Sequence, residues 1–180
     1  MLAQEAGDQL GLEEVLLVPV GESPYKRIDP EPGPDVRLEM ARLAAAEDSG
    51  VVASDLETNR EGPSYTFRTL ELLSEERPSE ELVFLLGADV AAGLESWREP
   101  ARVLELARLG IAARPGSALD EAEAALERLG HSDRGKWVKM PEIGISSTSI
   151  RRRVAAGRPI RHLVPDRVIE LIADRSLYGG

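Results

Sequence analysis

The stretch Ile145-Ser146-Ser147-Thr148-Ser149-Ile150-Arg151 sets four hydroxyls ahead of a guanidinium one helical turn on. If a helix begins there, its free backbone donors, its dipole and Arg151 form an anion site suited to phosphate. The alternative is ordinary N-capping by Ser or Thr, with Arg151, Arg152 and Arg153 in solvent. Gly87-Ala88-Asp89 directly follows an apolar run. A glycine at that point lets a ligand approach the backbone, and a carboxylate accepts sugar hydroxyls or faces a metal ion. A turn glycine followed by a helix-capping Asp would look the same. Trp97 stands in the polar segment Glu95-Ser96-Trp97-Arg98-Glu99 without apolar partners at helical spacing. Its indole could stack on a flat heterocycle or pack half-buried.

Basic residues supply further candidates. Lys26 and Arg27 lie in a proline-rich loop, and Arg114-Pro115-Gly116 closes another apolar run. Each could bind a phosphate, arginine in the bidentate manner, or simply favour solubility. Residues 59–66, ending in Ser64-Tyr65-Thr66, add hydroxyls and backbone donors at a helix start. His131 and His162 have no paired Ser or Asp and no metal-like spacing, so both read as non-catalytic. No covalent nucleophile is implied.

These residues need elements to position them. Leu2, Ala3, Ala6 and Leu10 recur at helical spacing, and Gly11 ends that helix. Residues 15–20 form a β-rich apolar run; Asp35 is the expected N-cap of a helix through Leu38, Ala41 and Ala45, closed by Gly50. Val51 and Val52 begin a strand, and Gly62-Pro63-Ser64 opens a helix stopped by Pro78. Residues 82–86 are the cleanest strand. Pro100 opens a helix ending near Arg108, strand 109–113 follows, then helix 119–129, strand 137–140 and two C-terminal helices. Strands alternating with helices specify an α/β protein with a parallel sheet covered on both faces. In such sheets ligands sit beyond the carboxyl ends of the strands, which is where the candidates above fall.

Composition narrows the function. A chain of 180 residues with 42% apolar content has the size and the apolar material of one domain, residues 1–180. It has no cysteine, so neither disulfides nor a cysteine-type zinc site is possible, and nothing argues for an oxidising compartment. No apolar run approaches the roughly 20 residues of a membrane span, and no leader is visible, so the expected location is cytoplasmic with no membrane partner. The net charge of −10 argues against a nucleic-acid surface. From Arg134 onward, however, ten Lys/Arg stand against four Asp/Glu, a net of +6, while twelve stand against twenty-eight before it. A local anion site and a solvated basic helix face both fit that asymmetry.

In order, these segments resemble the bacterial nicotinate-nucleotide adenylyltransferases, within the nucleotidyltransferase superfamily. The matching pieces are Leu17-Val18-Pro19 with the loop around Lys26, Gly62-Pro63-Ser64-Tyr65-Thr66, Phe84-Leu85-Leu86-Gly87-Ala88-Asp89, Trp97-Arg98, Ala113-Arg114-Pro115-Gly116, the Ile145 to Arg151 stretch, and the tail Leu163-Val164-Pro165 through Leu177-Tyr178. They cover nearly the whole chain. The resemblance implies a Rossmann-like doubly wound sheet with C-terminal helices. It implies adenylyl transfer from ATP, with Mg²⁺, to nicotinate mononucleotide, giving deamido-NAD and pyrophosphate in NAD biosynthesis. By the same resemblance Ser146, Ser147, Thr148 and Arg151 hold the ATP phosphates, with Ser147, Thr148 and Arg151 serving catalysis, and Gly87 and Asp89 lie near the adenosine. Trp97 stacks on the pyridine ring, Tyr65, Thr66 and Arg98 meet its carboxylate end, and Arg114 and Lys26 approach the mononucleotide phosphate. No metal ligand among the side chains is implied.

The family normally opens with a strand, a glycine-rich turn and a Gly-His motif, which this sequence lacks. Arg128-Leu129-Gly130-His131 lies at a helix end with Arg in first position and is rejected as that motif. Residues 1–11 resemble the body of the first helix. The expectation is therefore that the first strand is missing, that the natural start lies upstream by roughly 20 residues, enough for one strand and its turn, and that this chain alone is a weak catalyst. A sister nucleotidyltransferase acting on nicotinamide mononucleotide or phosphopantetheine, and a catalytically silent nucleotide-binding module, are the competing readings.

Overall fold

The computed structural model describes residues 1–24, 32–113, 118–141 and 144–179. In chain order its elements are α1 (Leu2–Leu10), β1 (Val15–Leu17), α2 (Pro34–Ala45), β2 (Val51–Ala53), α3 (Thr66–Glu76), β3 (Leu82–Gly87), α4 (Ala88–Ala91), a 3-10 turn (Leu94–Ser96), α5 (Pro100–Leu106), β4 (Ala107–Ala113), α6 (Leu119–Arg128), a second 3-10 turn (Ser132–Arg134), β5 (Gly135–Lys139), α7 (Ser147–Ala155) and α8 (Asp166–Asp174). Among the described residues all strand pairing is parallel, as alternation of strand and helix requires. The strands form two ladders rather than one: β1-β2, and β3-β4-β5. No helix among the described residues is long and apolar enough to cross a membrane.

The chain divides into two compact units. The first comprises Met1–Glu13 and Tyr65–Glu142. Its middle strand β4 is buried along most of its length, and Leu109 and Ile111 are fully enclosed. Around them pack Leu86, Leu94, Val103, Leu104, Ala122 and Leu126. Fully burying each large aliphatic side chain contributes about 1.5–3 kcal/mol, so this cluster is the main source of stability in the unit. Gly110 sits where β4 meets β3 so closely that a Cβ would overlap the Leu85 side chain. Arg108, on the same strand, escapes to the surface and pairs with Glu81 at 2.8 Å.

The second unit comprises Glu14–Ser64 and Ile143–Gly180. Here α2 crosses between β1 and β2, and its apolar side, Val36, Met40, Leu43 and Ala44, packs with Ile150 and Val154 of α7 and with Ile160, Val168, Ile172 and Leu177. Ile150 and Val154 are four apart and share one helical face, which leaves Arg151 and Arg152 exposed.

Several boundaries differ from the sequence reading for identifiable reasons. The second helix starts at Pro34 with Gly33 as N-cap, not at an Asp35 cap, because proline suits the first helical position and Asp35 then favours the first turn. The third helix starts at Thr66, past Gly62-Pro63-Ser64; Ser64 is drawn into a long-range hydrogen bond instead. Strand β1 ends at Leu17 rather than residue 20. Strand β4 begins at Ala107, since α5 ends at Leu106 and runs straight into it.

Candidate active site

In the first unit the candidates gather at the start of α3. Tyr65 is its N-cap but no side chain caps it, and no acidic residue lies in its first turn. The backbone N–H groups of Thr66 and Phe67 make no hydrogen bond among the described residues. An eleven-residue helix therefore presents bare donors and the positive end of its dipole. Beside them the Arg98 guanidinium lies 5.8 Å from the Tyr65 ring centroid, and Tyr65 stacks on Phe67 at 6.0 Å. Trp97 is half-buried, its ring edge-on to Phe84 at 5.8 Å and 83°. One part of the indole is thus packed and another part accessible. Both phenylalanines, one of two tryptophans and one of three tyrosines are used here. Neither Phe67 nor Phe84 is a site candidate in the sequence, although Phe84 lies in one of the matching stretches; the scarcity of aromatics is the signal that could find them.

Gly87 ends β3 and is the N-cap of α4, with φ −77° and ψ 153°, an ordinary extended backbone. A Cβ there would meet nothing within 4 Å. Neither backbone strain nor crowding demands glycine, so what its missing side chain leaves is room. Asp89 is exposed and does not cap α4; it makes no hydrogen bond or ion pair among the described residues.

In the second unit the hydroxyl-rich stretch does start a helix. Ser146 is the N-cap of α7; its Oγ accepts from the Ser149 N–H at 3.1 Å, and the Ser149 Oγ accepts from the Ser146 N–H at 3.1 Å. This reciprocal box uses Ser146 and Ser149 and leaves the amides of Ser147 and Thr148 without acceptors among the described residues. Ser147, Thr148 and Arg151 are exposed, and the first turn holds no acid. Arg151 makes no ion pair among the described residues, in contrast to Arg42, Arg108 and Arg175. Burial pushes the Tyr178 phenol above its ordinary pKa, while the charges of Arg151 and Arg37 pull it down, so these cations lie near that ring.

Just beyond β1 the backbone is held from several sides. Arg37 of α2 donates to the carbonyls of Val20 at 2.6 Å, Gly21 at 3.1 Å and Pro32 at 2.7 Å. The Gly21 N–H donates to Ser64 Oγ at 3.1 Å, and the Ser64 N–H donates to the Glu22 carbonyl at 2.8 Å. Arg37 was not read as a candidate, and nothing local to its helix marks it. Lys26 and Arg114 lie outside the described residues. Among the described residues no three His, Asp or Glu side chains cluster to hold a metal ion.

Acid placement sets these helix starts apart from most others. In this −10 chain α1, α2, α4, α6 and α8 carry Glu5, Asp35, Asp89, Asp120 with Glu121, and Asp166 in their first turns, whereas α3, α7 and the short α5, whose first residue Pro100 has no amide N–H to offer, carry none. Parallel strands, a glycine at a strand tip and an anion-ready helix start in each unit define an α/β protein built to handle nucleotides. The family model described as cytidylyltransferase-like matches residues 1–153. A protein of Roseiflexus sp. (strain RS-1) named "Probable nicotinate-nucleotide adenylyltransferase" is 42% identical over 177 residues, covering 98% of this chain and 88% of its own. One of the same name from Rhodopirellula baltica is 38% identical, covering 98% and 85%. The chain belongs to the nicotinate-nucleotide adenylyltransferase family of nucleotidyltransferases. The Plasmodium falciparum nicotinic acid mononucleotide adenylyltransferase in complex with APC shares the fold, with a TM-score of 0.76 at 19% identity over 99% of this chain and 88% of that one.

Proposed function

We propose that this protein transfers the adenylyl group of ATP to nicotinate mononucleotide, releasing pyrophosphate and forming deamido-NAD for NAD biosynthesis. The observation that carries this reading is the pair of acid-free helix starts, α3 and α7, each with two bare amides, in a chain that places an acid in the first turn of five of its eight described α-helices. One has an aromatic and guanidinium setting that suits a pyridine carboxylate. The other has hydroxyls and Arg151, which suit phosphates.

In the reaction a phosphate oxygen of the mononucleotide forms a bond to the α-phosphorus of ATP. The bond to the bridging oxygen breaks, and pyrophosphate leaves with the electron pair. Such chemistry needs alignment and charge stabilisation more than a protein nucleophile. The amides of Ser147 and Thr148 and the guanidinium of Arg151 hold the charge that grows on the leaving pyrophosphate, and Ser146 supports them by fixing the helix start. Gly87 gives the adenosine access to the strand tip, and Asp89 accepts its sugar hydroxyls. Trp97 stacks on the pyridine ring, while the Thr66 amide, Tyr65 and Arg98 receive its carboxylate. Lys26 and Arg114 are assigned to the mononucleotide phosphate. Mg²⁺, bound to ATP, would supply further neutralisation of the phosphate charge. The reading takes residues 1–180 as one domain working in the cytoplasm.

The test is pyrophosphate release by this protein from ATP with either nicotinate or nicotinamide mononucleotide. Preference for nicotinate by about tenfold or more in kcat/KM is expected, because only that acceptor carries the charge the α3 start and Arg98 would bind. Equal use of both acceptors, or binding of ATP without turnover of either, would overturn the assignment.

A further inference from the structure

Glu99 has φ 52° and ψ 56°, in the left-handed region. An L-residue there brings its Cβ against its own backbone carbonyl, and glutamate lacks the short side chain that lets Asn or Asp tolerate the conformation. Glu99 also precedes Pro100, whose ring steers the preceding residue toward extended backbone. The sequence resists this conformation twice, yet the fold holds it. Such a residue points to a constraint imposed by its surroundings.

The surroundings are on both sides. After Glu99, its carbonyl accepts from the Val103 N–H at 3.2 Å, the first bond of α5, and Val103 and Leu104 are fully buried. Before it, Trp97 is extended with φ −74° and ψ 161°. The chain therefore runs straight through Trp97 and reverses at Glu99 into an anchored helix. That reversal leaves Trp97 edge-on to Phe84 and Arg98 over Tyr65. The Glu99 carboxylate is exposed and makes no hydrogen bond or ion pair among the described residues. Its backbone matters here; its charge does not.

We infer that Glu99 is a positioning residue, whose left-handed backbone presents Trp97 and Arg98 to the pyridine end of the acceptor nucleotide. The inference rests on the reading of Trp97 and Arg98 given under Proposed function, and adds a residue that touches neither substrate.

The experiment compares Glu99→Asn, Glu99→Gly and Glu99→Val for the KM of nicotinate mononucleotide, the KM of ATP and the melting temperature. Asn accepts left-handed backbone and should keep the acceptor KM within about twofold of the parent. Gly adopts the conformation without the steric penalty that glutamate bears, and should likewise keep that KM within about twofold. Val resists it and should raise the acceptor KM by more than about tenfold, with the ATP KM within about twofold throughout. An acceptor KM unchanged in Val, an Asn or Gly variant as impaired as Val, or both KM values rising together would each overturn the inference. Should Val fail to fold, Glu99→Thr, β-branched but polar at this exposed position, takes its place with the same expectation. Trp97→Ala separates the two layers: if it leaves the acceptor KM unchanged, the stacking role itself fails, whatever the Glu99 series does.

Discussion

The Gly21 amide donates to the buried Ser64 hydroxyl at 3.1 Å, joining the segment after β1 to the one before α3. At the same place a Cβ on Gly21 would overlap the Glu57 carbonyl oxygen, which is backbone and cannot swing aside. Gly21→Ala should therefore destabilise the protein by about 1–3 kcal/mol through overpacking, and Ser64→Ala by about 1 kcal/mol through the unpaired amide. Urea denaturation measures both. A Gly21→Ala protein as stable as the parent would show that the close approach is absent in solution.

Gly87 gives the opposite expectation. Its backbone angles suit any residue, and its missing Cβ touches nothing. Gly87→Val should leave the melting temperature within about 2 °C while raising the KM for ATP by about tenfold or more, with the acceptor KM little changed. Steady-state kinetics with each substrate varied in turn is the check. A variant with parental ATP kinetics would remove Gly87 from the adenosine site.

Acid stability should reflect the ion pairs between α3 and α5. Hydrogen bonds from Arg68 at 3.1 Å and Arg102 at 3.2 Å hold the Glu71 carboxyl below its ordinary pKa, and Arg128 does the same for Glu95. The unfolded chain then binds more protons than the folded one just below the ordinary carboxylate range. The contribution of these groups is present above the unfolded pKa of about 4.5 and is lost as pH falls through the lower folded value. The urea midpoint should decline as pH drops below about 4.5, and Glu71→Gln should flatten part of that slope. Added salt should shrink the difference, because these pairs are at the surface.

Local chemistry was legible in the sequence and long-range chemistry was not. Gly11 ends α1 with φ 65° as its residue type requires, and the apolar run before Gly87 is a strand that stops there. The start of α7 was legible because serine and threonine are the residue types that cap helices, whereas the reciprocal pairing of Ser146 with Ser149 is seen only in the structure. Ser64 was read as part of a helix start, yet its partner is 43 residues away, and no periodicity reports such a pairing. The Arg37 contacts to Val20, Gly21 and Pro32 were missed for the same reason. In sequence Glu99 is only a polar neighbour of Trp97, since a glutamate before a proline gives no sign of left-handed backbone. The split of the strands into two ladders was also invisible, because alternation sets direction and not partner.

The contact between Gly110 and Leu85 carries a consequence for which substitutions the protein tolerates. A Cβ added at position 110 would overlap the end of the Leu85 side chain, with Leu10 Cδ1 at 3.1 Å and Val83 Cγ1 at 3.3 Å beside it, so alanine there requires the leucine to turn away within a crowded patch. A smaller residue at 85 would open the space first, at the cost of a cavity that the new methyl then partly fills. Positions 85 and 110 are therefore energetically coupled, and a smaller residue at 85 should lessen the cost of Gly110→Ala in a double-mutant cycle.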